Sequence, residues 1–372
     1  MKNFIPVNTP LFSGNEKKYL MECIDSGWIS SEGPFVEEFE KTFSKKVNRK
    51  FGVAVCNGTA ALEVAVEALG LGSGSEVILP SFCIISCILA ITRAGLTPVL
   101  VDCDPHTWNM DPNKIESKIS SRTRAIMVVH TYGLPVDMAP ILSIAQKHDL
   151  KIIEDAAQMH GQNYRNTPCG SFGDISIFSF YPNKHITTGE GGMVLTDDPK
   201  LKEKCQSLRN LCFEPERRFW HESLGFNYRM SNLQAAVGVA QLEQLDNFVK
   251  KKREMGAFYY NALKNIGSLQ FPLPKTPYAE NIYWVFGMVL KNPKIQMKDV
   301  IQKLSKMGIG TRPFFWPMHK QPVFQKMGWF EGESYPVSEN LGLHGFYIPS
   351  GLGLAREDQD QVIDALQEVF KD

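Results

Sequence analysis

One lysine stands out by its setting. In SFYPNKHITTGEGG, residues 179–192, Lys184 lies between an aromatic strand end and a glycine-rich turn, where neither helix nor sheet needs it. Pro182 blocks a simple helical exit, and Gly189, Gly191 and Gly192 let the backbone turn tightly, so the lysine is held on a loop over the preceding strand. A desolvated lysine amine can attack a carbonyl and form a Schiff base. The alternative is a solvated loop lysine, the commoner use of this residue type. Two further stretches carry chemistry of their own. In CNGTAAL, residues 56–62, an apolar strand ends, Asn57-Gly58 makes a turn and Thr59 opens a helix. Free N–H groups at that helix end would hold a phosphate, or else Thr59 is an ordinary N-cap. Asp155 ends the run KIIED, at the carboxyl end of a buried strand, where open α/β sheets place their ligands. There it needs a cationic partner, unless it caps a helix beginning Ala156-Ala157-Gln158.

These residues depend on the elements that carry them. From about residue 50, short apolar runs alternate with helical patterns: GVAVC at 52–56, EVILP at 76–80, TPVLVD at 97–102, AIMVVH at 125–130, KIIED at 151–155 and DISIFSF at 174–180. Such alternation predicts an α/β fold with a mostly parallel sheet buried on both faces. TAALEVAVEALGLG and DMAPILSIAQKHDL supply crossover helices, and the tract at 231–263 reads as one long connecting helix. At 372 residues the chain suits a large domain over 1–250, with an N-terminal segment, and a smaller α/β domain over 251–372.

Composition narrows the partners. Lys and Arg number 40, as do Asp and Glu, with no long run of either sign, which argues against nucleic-acid and polybasic membrane binding and points to a small ligand. The start, MKNFIPVNTP, has no signal-peptide core, and FCIISCILAI at 82–91 falls short of the roughly 20 residues of a membrane span, so a soluble cytoplasmic protein is expected. Eight cysteines are scattered, and the close pair Cys83 and Cys87 has helix-like spacing that reads as core packing rather than as a metal or disulfide site.

A phosphate cradle, an acid able to pair with a pyridinium nitrogen and an amine for an imine are together what pyridoxal phosphate requires of a protein. Ordered stretches over almost the whole chain also resemble one family. They are WISSEGPFVEEFE at 28–40, NGTAALEVAVEALG at 57–70, IIEDAAQMHG at 152–161, FGDISIFSFYPNKHITTGEGGMV at 172–194, GFNYRMSNLQAA at 225–236 and TRPFFWPMH at 311–319. The chain thereby resembles the pyridoxal-phosphate nucleotide-sugar aminotransferases of the DegT/DnrJ/EryC1/StrS type, within the fold type I, aspartate aminotransferase-like superfamily. The resemblance implies that Lys184 holds the cofactor as a Schiff base and shuttles protons, that Asp155 binds the pyridine nitrogen and that Gln158 contacts the ring hydroxyl. It also implies that Ser179, Gly58 and Thr59 hold the phosphate, and that Asn227 reaches the neighbouring subunit's cofactor in a homodimer with shared sites. Where family members carry an aromatic residue stacked on the ring, this chain has Ile84, so either Ile84 makes an aliphatic contact or Phe82 shifts to help.

A related subgroup has histidine in place of the Schiff-base lysine, so Lys184, with His185 only its neighbour, favours transamination. By resemblance the amino donor is L-glutamate, and the segments around Lys184, Asn227 and Arg312 look most like members that aminate C4 of GDP-4-dehydro-6-deoxy-D-mannose. Enzymes of dTDP-linked 4-keto-6-deoxyglucose are close relatives. Ser30, Arg312 and His319 fall in segments resembling the nucleotide-sugar channel; Arg312 pairing with a surface acid and His319 packing under the small domain are the alternatives. Rival readings are a regulator that binds pyridoxal phosphate without turnover, against which the lack of a DNA-binding appendage or basic extension speaks, and an aminotransferase of a free keto compound.

Overall fold

The computed structural model describes residues 4–371, apart from positions 215 and 218. Its main sheet has seven strands: β1 (Phe51–Val55), β2 (Glu76–Pro80), β3 (Thr97–Val101), β4 (Thr123–Val129), β5 (Lys151–Asp155), β6 (Ile175–Ser179) and β7 (Gly192–Thr196), in the order β1-β7-β6-β5-β4-β2-β3. The pairings from β6 through to β3 are parallel, whereas β7 runs antiparallel to both of its neighbours. Apolar runs form these strands because both faces are covered. In β5, Ile152 packs into the core on one side and Ile153 into the core on the other, the period-two alternation of a doubly buried strand.

The glycine-rich turn expected after β6 is followed directly by a strand, β7, that the sequence pattern does not predict. That strand does much of the positioning. Its register sets Gly192 opposite Val55 on one side and Ser179 on the other, which brings the ends of β1 and β6 together. A Cβ on Gly192 would lie 2.4 Å from the Asn57 carbonyl oxygen, so only glycine allows the approach.

Crossover helices α1 (Gly58–Leu69) and α2 (Ile85–Arg93) follow β1 and β2. The single long helix expected over 231–263 is instead two, α3 (Asn232–Glu243) and α4 (Leu245–Leu263), broken at Gln244. A Ser231–Gln234 capping box starts the first. Ala235, Ala236 and Val239 of α3 and Leu245, Phe248 and Val249 in the first turns of α4 belong to the core against the main sheet, while Met255, Tyr259 and Leu263 further along α4 belong to a separate core. That second core lies on a four-stranded antiparallel sheet of β8 (Leu269–Gln270), β9 (Phe286–Leu290), β10 (Arg312–Pro313) and β11 (Gly345–Ile348), in the order β8-β9-β11-β10. Ile5, near the start of the chain, bridges to Ile309 and packs into the same core. Among the described residues no helix is long and apolar enough to cross a membrane.

Candidate active site

The carboxyl ends of β1, β5 and β6 open into one cleft of about 630 Å³. Gly58, Thr59, Ile84, Asp155, Gln158, Ser179 and Lys184 all line it, so the structure gathers these sequence-predicted residues at one place. They come from four separate segments, and the parallel sheet is what aligns them.

At one end, α1 begins against Ser179. Asn57, not Thr59, is its N-cap: Asn57 Oδ1 accepts the Ala60 N–H at 2.8 Å, while the Asn57 carbonyl takes that of Ala61. This corrects the alternative in which Thr59 capped the helix. Gly58 and Thr59 line the cleft, and their N–H groups, in the first turn, have no intrahelical acceptor, so the positive helix end lies at the cleft. Thr59 Oγ1 instead shares a 2.8 Å hydrogen bond with Ser86 Oγ. A Cβ on Gly58 would lie 2.6 Å from Ser179 Cβ. The cradle is thus closed to a side chain and open to a phosphate.

In the middle sits Asp155, 3 % exposed. No helix starts after it; residues 156–161 form turns, and Asp155 Oδ1 accepts the Ala157 N–H at 3.0 Å. Its other oxygen is 3.4 Å from Cys87 Sγ. Burial raises the carboxyl above its usual range, against these two hydrogen bonds and the positive charge of Lys184. Among the described residues no cation forms an ion pair with it, and a buried carboxylate held only by neutral donors suits a ring-nitrogen cation. Gln158 Oε1 accepts the Tyr132 N–H at 2.6 Å, which leaves its NH₂ group to serve as a donor.

Lys184 lies at the far wall, with Nζ 3.9 Å from the centroid of the Trp284 ring. Burial pulls its amine down to about 7, with Asp155 opposing. The amine is therefore neutral in a large fraction of molecules near neutral pH, as a carbonyl nucleophile must be. Trp284 was not anticipated. It stands a hundred residues from Lys184, in NIYWVF, where its pattern is that of an ordinary strand entry; its Nε1–H donates to the Asn183 carbonyl at 2.8 Å. Glu63 was also missed. It is a lone buried acid in the apolar helix TAALEVAVEALG, paired with Arg93 and accepting from Tyr228 Oη at 2.6 Å, and all three side chains line the cleft. The acid inside an apolar run was the available signal.

Other expectations fall differently. Phe82 does not shift toward the cleft; it is fully buried among Tyr132, Phe314 and Phe315, and Ile84, 38 % exposed, faces the cleft alone. His319 is not a cleft residue. It is 2 % exposed, with Nδ1 on Ser81 Oγ at 2.8 Å and Nε2 on Glu339 Oε1 at 2.9 Å, so the packing alternative holds because both ring nitrogens are occupied. Arg312 lines a neighbouring cavity of about 280 Å³ that shares Tyr181, Asn183, Trp284 and Tyr347 with the cleft. Among the described residues no acid pairs with it, which removes the surface ion-pair alternative. Ser30 and Asn227 are exposed and lie outside their own chain's cleft.

Fold and cleft define a fold type I, pyridoxal-phosphate-dependent aminotransferase, with phosphate cradle, buried acid and amine in the order that cofactor needs. Comparison with known proteins narrows this class. The chain belongs to the DegT/DnrJ/EryC1/StrS aminotransferase family, whose model matches residues 11–367. It is 42 % identical over 367 residues to a GDP-perosamine synthase of Caulobacter vibrioides, covering 98 % of each chain. It is 39 % identical over 369 residues to a GDP-perosamine synthase of Escherichia coli O157:H7, covering 99 % of each. Among solved structures it is similar to S. venezuelae DesV, crystallised in complex with a ketimine intermediate, with a TM-score of 0.89 and 33 % identity over 96 % of this chain and 95 % of that one.

Proposed function

We propose that this sugar aminotransferase moves an amino group from L-glutamate to C4 of GDP-4-dehydro-6-deoxy-D-mannose, giving GDP-perosamine and 2-oxoglutarate. The full-length similarity to two GDP-perosamine synthases carries the substrate assignment. Bound pyridoxal phosphate supplies a carbonyl to accept nitrogen and a ring to delocalise electrons. The chain's own residues do the rest. The N–H groups of Gly58 and Thr59 and the Ser179 hydroxyl would hold the phosphate, Gln158 the ring hydroxyl, and Asp155 the proton on the ring nitrogen. Ile84 would cover a ring face through aliphatic contact. Lys184, with its amine near 7, can give and take a proton at neutral pH with little cost in either direction. Arg312, with no acid partner among the described residues, offers its fork of donors to the sugar nucleotide's diphosphate.

The test is to incubate the holoenzyme with glutamate and a panel of GDP-, dTDP- and UDP-linked 4-keto-6-deoxy sugars and weigh the products. The GDP-linked mannose derivative is expected to be the best acceptor. In Arg312→Ala, glutamate should still aminate the cofactor at the wild-type rate while transfer to the sugar slows by roughly 10- to 100-fold, as for loss of a charge-assisted contact. Preference for a dTDP sugar would reassign the substrate, and no turnover with any would favour a cofactor-binding regulator.

The enzyme works, on this reading, as a homodimer in which Asn227 and Ser30 complete the partner's site. Both are exposed, and the large apolar side chains Trp28 and Ile29 beside Ser30 are about half exposed, as an uncovered interface would leave them. Mixing inactive Lys184→Ala and Asn227→Ala chains should restore up to a quarter to a half of wild-type activity, one sound site per mixed dimer. No recovery despite confirmed subunit exchange would show that the sites are not shared.

A further inference from the structure

At the start of α2, Ile84 and Ser86 line the cleft, Ser86 on Thr59, and Cys87 lies buried behind it on Asp155. We infer that Cys87 is a positioning residue for the transamination, its thiol donating to Asp155 and thereby holding that carboxylate ionised and aimed at the ring nitrogen. This rests on the reading of Asp155 as the ring-nitrogen partner.

The geometry is specific. Cys87 Sγ and Asp155 Oδ2 are 3.4 Å apart, a normal length for a hydrogen bond involving sulfur, and the two residues are 0 % and 3 % exposed. Cys87 supplies the side-chain hydrogen bond to Asp155, whose other oxygen takes the Ala157 N–H. The neighbouring thiol, Cys83, donates to the Pro80 carbonyl at 3.3 Å and lies against Cys87, not against Asp155. Other charges facing Asp155 are Lys184 from its loop and His130 from the end of β4. Both groups are buried, so the donation stabilises the carboxylate against protonation. Without it Asp155 competes harder for the proton it shares with the ring nitrogen. A ring held less protonated by Asp155 would withdraw fewer electrons, so a Schiff base made by Lys184 would keep its proton to higher pH.

The experiment compares wild-type, Cys87→Ala, Cys87→Val and Cys87→Ser holoenzymes, with Cys83→Ala as a packing control. Two quantities are read: the pH midpoint of the visible band of lysine-bound cofactor, and cofactor affinity by equilibrium dialysis. Cys87→Ala and the space-filling Cys87→Val should both raise the midpoint by about half a pH unit or more and weaken affinity roughly three- to tenfold, in the range of one hydrogen bond to a charged group. Cys87→Ser, which keeps a donor, should recover most of both, and Cys83→Ala should leave the midpoint unmoved. A wild-type midpoint in Cys87→Val, or an equal shift in Cys83→Ala, overturns the inference. Borohydride reduction of the wild type separates the two levels of the argument: cofactor found off Lys184 overturns the site reading itself, whereas cofactor on Lys184 with an unmoved midpoint overturns only the role of Cys87.

Discussion

Lys184→Ala is expected to lose transamination by on the order of 10⁴-fold while keeping its fold, because it removes both the covalent anchor and the proton carrier. The side chain sits on a loop against Trp284 and makes no hydrogen bond that the sheet depends on. Folding should even improve in the cofactor-free protein, with a sign set by the depressed amine. A lysine held at about 7 in the fold and near 10.4 when unfolded penalises folding fully below about 7 and not at all above 10.4. The advantage of Lys184→Ala in melting temperature should therefore widen as pH falls from 10 toward 7. A constant difference across that range would show that the amine is not desolvated.

Asp155→Asn should retain the fold and lose activity by on the order of 10²–10³-fold, the scale of removing one preorganised charge from a catalytic centre. The amide is nearly isosteric and can still accept the Ala157 N–H, so the turn after β5 survives. It cannot hold a ring nitrogen protonated, and the electron sink weakens. Because the change strikes the chemistry, turnover should fall far more than affinity for either substrate, as steady-state kinetics will read. Near wild-type turnover would reduce Asp155 to a structural residue.

Lys184, Asp155 and the Gly58–Thr59 turn were legible because each is a local pattern: a strand, then its end, then a residue whose chemistry the strand end exposes. The cap fell two residues early, at Asn57, since asparagine and threonine are both good caps and only the side-chain hydrogen bond decides between them. β7 was hidden because it begins on a glycine, read as part of a turn, although that glycine is what lets β1 and β6 meet at the cradle. Trp284 over Lys184 and Cys87 beneath Asp155 are contacts across 100 and 68 residues, which periodicity and spacing do not encode. His319 shows the converse. Its segment sits near the cleft, but a polar residue close to a site need not face it, and Ser81 and Glu339 claim both of its nitrogens.

The most direct measurement is reduction of the yellow holoenzyme with borohydride, followed by proteolysis and mass spectrometric mapping of the labelled peptide. The fixed pyridoxyl group should be found on Lys184, in the segment SFYPNKHITTGEGG, and should be absent from that segment in protein first incubated with excess glutamate, whose nitrogen displaces the lysine. Label on any other lysine, including the buried Lys252, whose amine burial also draws down to about 7, would contradict the assignment of this cleft as the site of amino transfer.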